Sequence, residues 1–167
     1  MENTIKLNLK PNGCGIEMAG KECGNFLKSR GLSDDAVQIQ IRILKELIKN
    51  GIKYGKFTPS EKELSISIQV ADNSIIIEVM NPVDITCCDR LKELDKTIQF
   101  IRGYQDPYEA YMLMKKKAPN HLSRSDANGL DLIKIAYEGK AIIDFCINEN
   151  NILNQSAVRI LRDHSTY

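Results

Sequence analysis

The longest apolar rhythm in the chain runs from Ser33 to Gly55. On a wheel of about 100° per residue, Val37, Ile41, Leu44, Ile48 and Ile52 form one stripe. Ile39, Ile43, Leu47 and Tyr54 widen the apolar arc to roughly 220°. Gln38, Arg42, Lys45, Lys49 and Lys53 fill the remainder. This predicts a helix with Ser33 as N-cap and Asp34 and Asp35 in its first turn, where the helix dipole favours them. Asn50 breaks the pattern by falling inside the apolar arc, and Glu46 falls at its edge. They are four residues apart and share a face. Burying either without a partner is costly. They are therefore either a satisfied polar pair at the helix end or groups facing a ligand.

Other patterns set the elements around this helix. Ile5, Leu7 and Leu9 alternate with Lys6, Asn8 and Lys10, as in a half-buried strand ended by Pro11-Asn12-Gly13. Met18, Cys23, Phe26 and Leu27 recur at helical spacing between about Ile16 and Arg30, with Gly31 as the stop. Leu64, Ile66, Ile68 and Val70 alternate with Ser65, Ser67 and Gln69, Asp72-Asn73 turns the chain, and Ile75 to Met80 returns. That reads as an antiparallel hairpin ended by Asn81-Pro82.

From Val83 to about Asn128 no strand pattern appears. Leu91, Leu94, Ile98 and Ile101 suggest one helix, and Tyr108, Tyr111, Met112 and Met114 a shorter one. The lysine run 115–117 and the polar run 120–128 follow. A segment of about 84–128 thus reads as an insert, either packed or acting as a mobile lid. Gly129 to Tyr137 predicts a buried helix closed by Gly139. Ala141 to Ile147 and Ile152 to Leu161 predict two last strands around the turn Asn148–Asn151. The order of elements implies one α+β domain over residues 1–167. It would be a two-layer sandwich, with a mixed, mostly antiparallel sheet covered by helices on one face.

Composition excludes some functions. The 167 residues are 43% hydrophobic and 27% charged, with a net charge of +1. Nothing in that balance favours a nucleic-acid or membrane surface. No apolar run approaches the roughly 18 residues that span a bilayer, and the first ten residues hold no signal-peptide core. The expectation is a cytoplasmic protein. Five cysteines, Cys14, Cys23, Cys87, Cys88 and Cys146, are expected as free thiols. The vicinal pair Cys87-Cys88 is a redox or soft-metal candidate that no second pair or nearby His supports. His121 and His164 fall in no metal-ligand spacing.

The stretch Glu46-Leu-Ile-Lys-Asn50-Gly-Ile-Lys-Tyr-Gly55 resembles the N-box helix of the histidine-kinase-like (GHKL) ATPases. Two further boxes follow in the right order. The second, Asp-x-Gly in the family, reads Asn81-Pro82-Val83, with Asp84 as an alternative acceptor. The third, a glycine-rich entry to a helix, reads Ala127-Asn128-Gly129-Leu130-Asp131-Leu132. The chain departs from the family in Gly51, usually Ala, and in Asn81, Val83, Ala127 and Asp131.

The resemblance implies a Bergerat-type ATP-binding fold with ATP and magnesium as cofactors. Asn50 would coordinate the magnesium of ATP, and Glu46 would polarise the attacking group as the catalytic base. Lys53, Asn81, Asp84, Gly129 and Leu130 would complete the nucleotide site. The chain has no phosphate-accepting His box ahead of the domain. In size it looks most like the stand-alone anti-sigma-factor and SiaB-like serine kinases of bacterial partner switching. The partner implied is a small regulatory protein, antagonist-like or sigma-factor-like, with a homodimer left open. With two of three boxes altered, the expected function is regulation of bacterial signalling by protein–protein contact with weak or degenerate ATP binding. The alternative is an active ATP-dependent serine protein kinase.

Overall fold

The computed structural model describes residues 3–58, 63–86, 88–117 and 124–161. Ten elements follow along the chain: β1 (Thr4–Leu9), α1 (Gly13–Ser29), α2 (Asp34–Tyr54), β2 (Leu64–Ala71) and β3 (Ser74–Pro82), then α3 (Cys88–Arg102), α4 (Pro107–Lys117), α5 (Arg124–Gly139), β4 (Ala141–Ile147) and β5 (Ile152–Ile160). The five strands form one sheet in the order β1-β2-β3-β5-β4. Every pairing is antiparallel, so the expected mixed sheet is wholly antiparallel. For β2–β3 and β4–β5 the physical reason is local connectivity, since both are hairpins; β1–β2 and β3–β5 join strands distant in the chain. At the β4–β5 turn, the Asn148 side chain accepts from the N–H groups of Asn150 and Ile152, and Asn151 takes a left-handed φ of 58°.

Alternation sorts the strands into two faces. Leu64, Ile66 and Ile68 of β2, Ile75, Ile77 and Val79 of β3, and Leu153 and Ala157 of β5 are buried. Ser65, Ser67, Glu78, Asn154 and Ser156 share the opposite, more open face. The hydrophobic row is covered by α1 against β1, α2 against β3 and β5, and α5 against β4. Helices α3 and α4 lean on α5. Charged pairs stitch the helical layer: Lys45 to Glu17 at 2.8 Å joins α2 to α1, and Arg42 to Glu138 joins α2 to α5.

Several element ends differ from the sequence expectation. β3 does not stop at Met80; it runs through Pro82 because Asn81 and Pro82 pair with Leu153 and Ile152 of β5. Proline is tolerated there as the strand's last residue. Helix α5 opens at Arg124, five residues before Gly129. Ser33 caps α2 as expected, its hydroxyl accepting from the Ala36 N–H at 3.3 Å. Gly31 takes a φ of 78°, the left-handed geometry of a helix stop.

One glycine governs how closely α2 approaches the sheet. A Cβ on Gly51 would lie 2.7 Å from a Leu64 methyl, 3.0 Å from Asn81 Oδ1 and 3.3 Å from a Val79 methyl. All three neighbours are buried. Alanine at 51 gains up to about 1 kcal/mol of helix propensity and meets about 1–3 kcal/mol of overpacking. Gly51→Ala is therefore expected to lose about 1 kcal/mol of unfolding free energy in urea. A raised midpoint would show that Leu64 and Asn81 move aside freely.

Candidate functional site

The last turns of α2 and the end of β3 meet at one place. Gly55 bridges to Val83, and the Lys56 N–H donates to the Pro82 carbonyl at 2.8 Å. This splice puts Asn50 and Lys53 on one side and Asn81 and Asp84 on the other. Asn50 is 6% exposed and Asn81 is 1% exposed. The apolar-arc reading of Asn50 is thus correct: the helix does turn that amide inward.

Asn81 is held in one orientation. Its Nδ2 donates to the Pro82 carbonyl at 3.2 Å. Its Oδ1 is buried without a hydrogen-bond partner, against the gap that Gly51 leaves open. A buried acceptor left unmatched costs about 1–3 kcal/mol. It is the one atom of the site whose geometry asks for a donor. Val83, expected at a position where glycine gives close access, is instead a buried structural residue donating its N–H to the Asn151 carbonyl at 2.9 Å.

The charged members of the site are engaged with each other. Glu46, with its side chain 18% exposed, receives Lys49 Nζ at 2.5 Å. Lys53 lies 3.1 Å from the Tyr54 hydroxyl and 4.0 Å from a carboxylate oxygen of Glu93 on α3. Asp84 accepts from Lys56 at 2.5 Å and from the Thr86 hydroxyl and N–H at 2.5 and 3.0 Å. The Lys56 hydrogen bond, followed by those of Thr86, holds the Asp84 carboxyl down at about 2 against an ordinary 3.8.

Gly129 is placed differently from a phosphate-cradling glycine. It sits within α5 rather than at its start, so its N–H is not one of the free donors of a helix N-terminus. A Cβ there would lie 3.4 Å from Thr97 Oγ1 and 3.7 Å from the Met114 methyl. Leu130 is half-buried and Asp131 is exposed. Helix α3 links the two halves of the predicted site: its Glu93 approaches Lys53, and its Thr97, four residues on, covers Gly129. Helix α4, half of the expected lid, is anchored by buried Ala110 and by Tyr111 stacked on Tyr137 at 5.8 Å. Residues 118–123 of that lid, Cys87, His121 and His164 lie outside the described residues.

Among the described residues no three His, Cys, Asp or Glu side chains gather where they could hold a metal, and no helix is long and apolar enough to cross a membrane. Cys14, Cys23 and Cys146 are free thiols, with burial pushing that of Cys23 up to about 12. Sequence reasoning missed two buried amides, Gln40 and Gln155, whose Nε2 atoms have no partner. Gln155 follows from strand alternation, since it falls in register between Leu153 and Ala157; Gln40 sits among apolar residues on the α2 wheel.

The nucleotide that the resemblance implies fits these residues in part. Asn81 Oδ1 is an unpartnered acceptor but is closed off against the Gly51 gap, and Asn50 is a buried amide. Among the described residues, Gly129 offers the triphosphate end no free backbone N–H.

No family model and no curated protein matches the sequence. Among solved structures, the chain resembles one in the crystal structure of the SiaB–SiaC complex from Pseudomonas aeruginosa. The TM-score is 0.66 at 17% identity, covering 93% of this chain and 88% of that one. The likeness is one of fold.

The Asp84 cluster gives a pH expectation. Its folded pKa of about 2 lies below the ordinary 3.8. The ionised form's advantage is therefore fully present above about pH 4 and is lost as pH falls through about 2. A carbon-detected NMR titration of Asp84 should show this low midpoint, moved up towards 3.8 in Lys56→Ala. A midpoint that stays low in the variant would assign the effect to Thr86 instead.

Proposed function

We propose that the protein is a signalling regulator of the histidine-kinase-like ATPase fold that acts by binding a small regulatory protein and binds ATP only weakly. The observation that carries this is the state of the α2–β3 splice. The amide pair Asn50 and Asn81 is buried at the position of the family's first two boxes. The charged groups the resemblance would use are spent internally: Glu46, the catalytic base, on Lys49, and Asp84, the alternative acceptor of the second box, on Lys56. The fold-level likeness to a chain of a two-protein complex supports the interaction half of the reading.

The residues hold to limited roles in this proposal. Asn81 Oδ1 offers an uncharged acceptor to an exocyclic amino group, where the family uses a carboxylate. Asn50 offers an amide oxygen to magnesium carried by the phosphates. Bound nucleotide would supply a transferable phosphoryl group. Among the described residues, however, Gly129 offers no free N–H cradle for it, and Glu46 would first have to leave Lys49. The alternative, an active serine protein kinase, draws on the spacing of Glu46 and Asn50 along one helix face. The Glu46–Lys49 pair counts against it.

Thermal unfolding with and without magnesium-ATP separates the two. For a dissociation constant of 1 mM or weaker, 1 mM ATP adds at most about 0.4 kcal/mol. The wild-type melting point should then rise by less than about 2 °C. Asn50→Ala should change stability without changing that response. A rise of several degrees that disappears in Asn50→Ala, together with incorporation of labelled phosphate into a co-purified small protein, would establish the kinase instead.

A further inference from the structure

At the far end of α2 from Asn50, the start of that helix and the end of the sheet enclose a second concavity. It measures about 630 Å³, within the usual size range for small-molecule sites. Its walls are mostly aliphatic, with Leu32, Ile142, Ile160 and Leu161 among them. Ile142 and Ile160 are 59% and 61% exposed, high for isoleucine. Two cations, Arg159 and Lys140, also line it.

Arg159 is the anomaly. It lies on β5 with Ile75 and Ala141 as its cross-strand neighbours, so no carboxylate stands beside it in the sheet. Its Nη1 is withdrawn from solvent without a hydrogen-bond partner. A guanidinium so placed is costly unless something charged and accepting completes it. On the helix that lines the concavity, the acidic groups next to the lining residues Ser33 and Ala36 are Asp34 and Asp35, and Asp34 is taken by Lys28 at 2.8 Å. Arg159 as a whole is half-buried; Gln40, one turn beyond the lining residue Ala36 on the same helix face, is a buried side chain that also has an unmatched donor. Lys140 adds a second positive charge at the rim. Both unmatched atoms are donors, and the walls are greasy.

We infer that this concavity is a binding site for a small amphiphilic carboxylate, with the anion on Arg159 and Lys140 and the apolar body against Leu32 and Leu161. A guanidinium suits a carboxylate because its donors form a planar fork matching the two oxygens. The aliphatic walls favour an alkyl chain over a polar or phosphate-rich ligand. The site is separate from the α2–β3 splice, and the inference does not depend on nucleotide binding there.

Decanoate is the probe, with decanol as its uncharged counterpart, both measured by isothermal calorimetry on the full chain. Decanoate is expected to bind one to one, at least about tenfold tighter than decanol, because only the anion satisfies the guanidinium. Arg159→Met keeps the side-chain length and removes the charge. It should cancel the preference for decanoate while holding the melting point, since the withdrawn Nη1 without a hydrogen-bond partner among the described residues is gone. Lys140 has a left-handed φ of 46°, so Lys140→Gly is well tolerated by the backbone and should weaken decanoate by a few-fold. Saturating magnesium-ATP and Asn50→Ala should leave decanoate binding unchanged. No decanoate heat at millimolar concentration, equal affinity for the acid and the alcohol, or an Arg159→Met protein that keeps the preference would each overturn the assignment.

Discussion

The seating of α2 on β2 and β3 is the constraint on which the rest of the molecule depends. Its apolar arc covers the middle of the sheet, and Val37, Ile43, Leu44, Leu47 and Ile48 are all but inaccessible. The approach is closest at Gly51, where no side chain separates helix backbone from Leu64, Val79 and Asn81. That closeness brings Gly55 into a bridge with Val83 and Lys56 into a hydrogen bond with Pro82. It also fixes where Asn50 and Asn81 lie. A glycine that looks like a flaw on helix propensity is thus the condition for the splice.

The same interface accumulates polar atoms that a packed core would normally exclude. Gln40 and Asn50 on α2, Gln155 on β5 and Asn81 on β3 are all buried. Gln40, Gln155 and Asn81 each leave one atom unmatched. Each such atom costs about 1–3 kcal/mol, against a typical domain stability of about 5–15 kcal/mol. A sequence selected for stability alone would place leucine or isoleucine at these positions, as it does at their neighbours. The unmatched amide atoms are spread along the helix–sheet seam, from Gln40 on the first half of α2 to Asn81 at the α2–β3 splice.

Most of the architecture was legible in the sequence because its signals are periodic. Period-two alternation located β1 and β2, turn residues marked off the other strands, and the wheel put Asn50 inside. Sheet direction was legible only in part. The hairpins declare their own antiparallel pairing, but nothing local shows that β3 pairs with β5 across three helices. Element ends were misread where long-range pairing overrides a local stop signal: Asn81-Pro82 looks like a break until Leu153 and Ile152 supply partners. The start of α5 was misread for a related reason. Gly129 resembles a helix entrance, yet the helix continues upstream of it, and the space under its missing Cβ is used by Thr97 and Met114.

The candidate site was less legible than the fold, and the difference is electrostatic. A motif gives the type and spacing of side chains and says nothing of what neutralises them. Glu46 could have been free at the helix end; Lys49, one turn later on its exposed flank, takes it. Asp84 could have faced a ligand; Lys56, brought close by the splice, takes it together with Thr86. Lys53 sits between Tyr54 and Glu93. The uncharged amides have no such competitors, because burial removes water and leaves only what the backbone offers. This accounts for why the polar group still unmatched at the splice, Asn81, is an amide rather than a carboxylate. A site built on amides discriminates by hydrogen-bond geometry more than by charge. It also gives up the Coulombic attraction that would hold a highly charged ligand tightly.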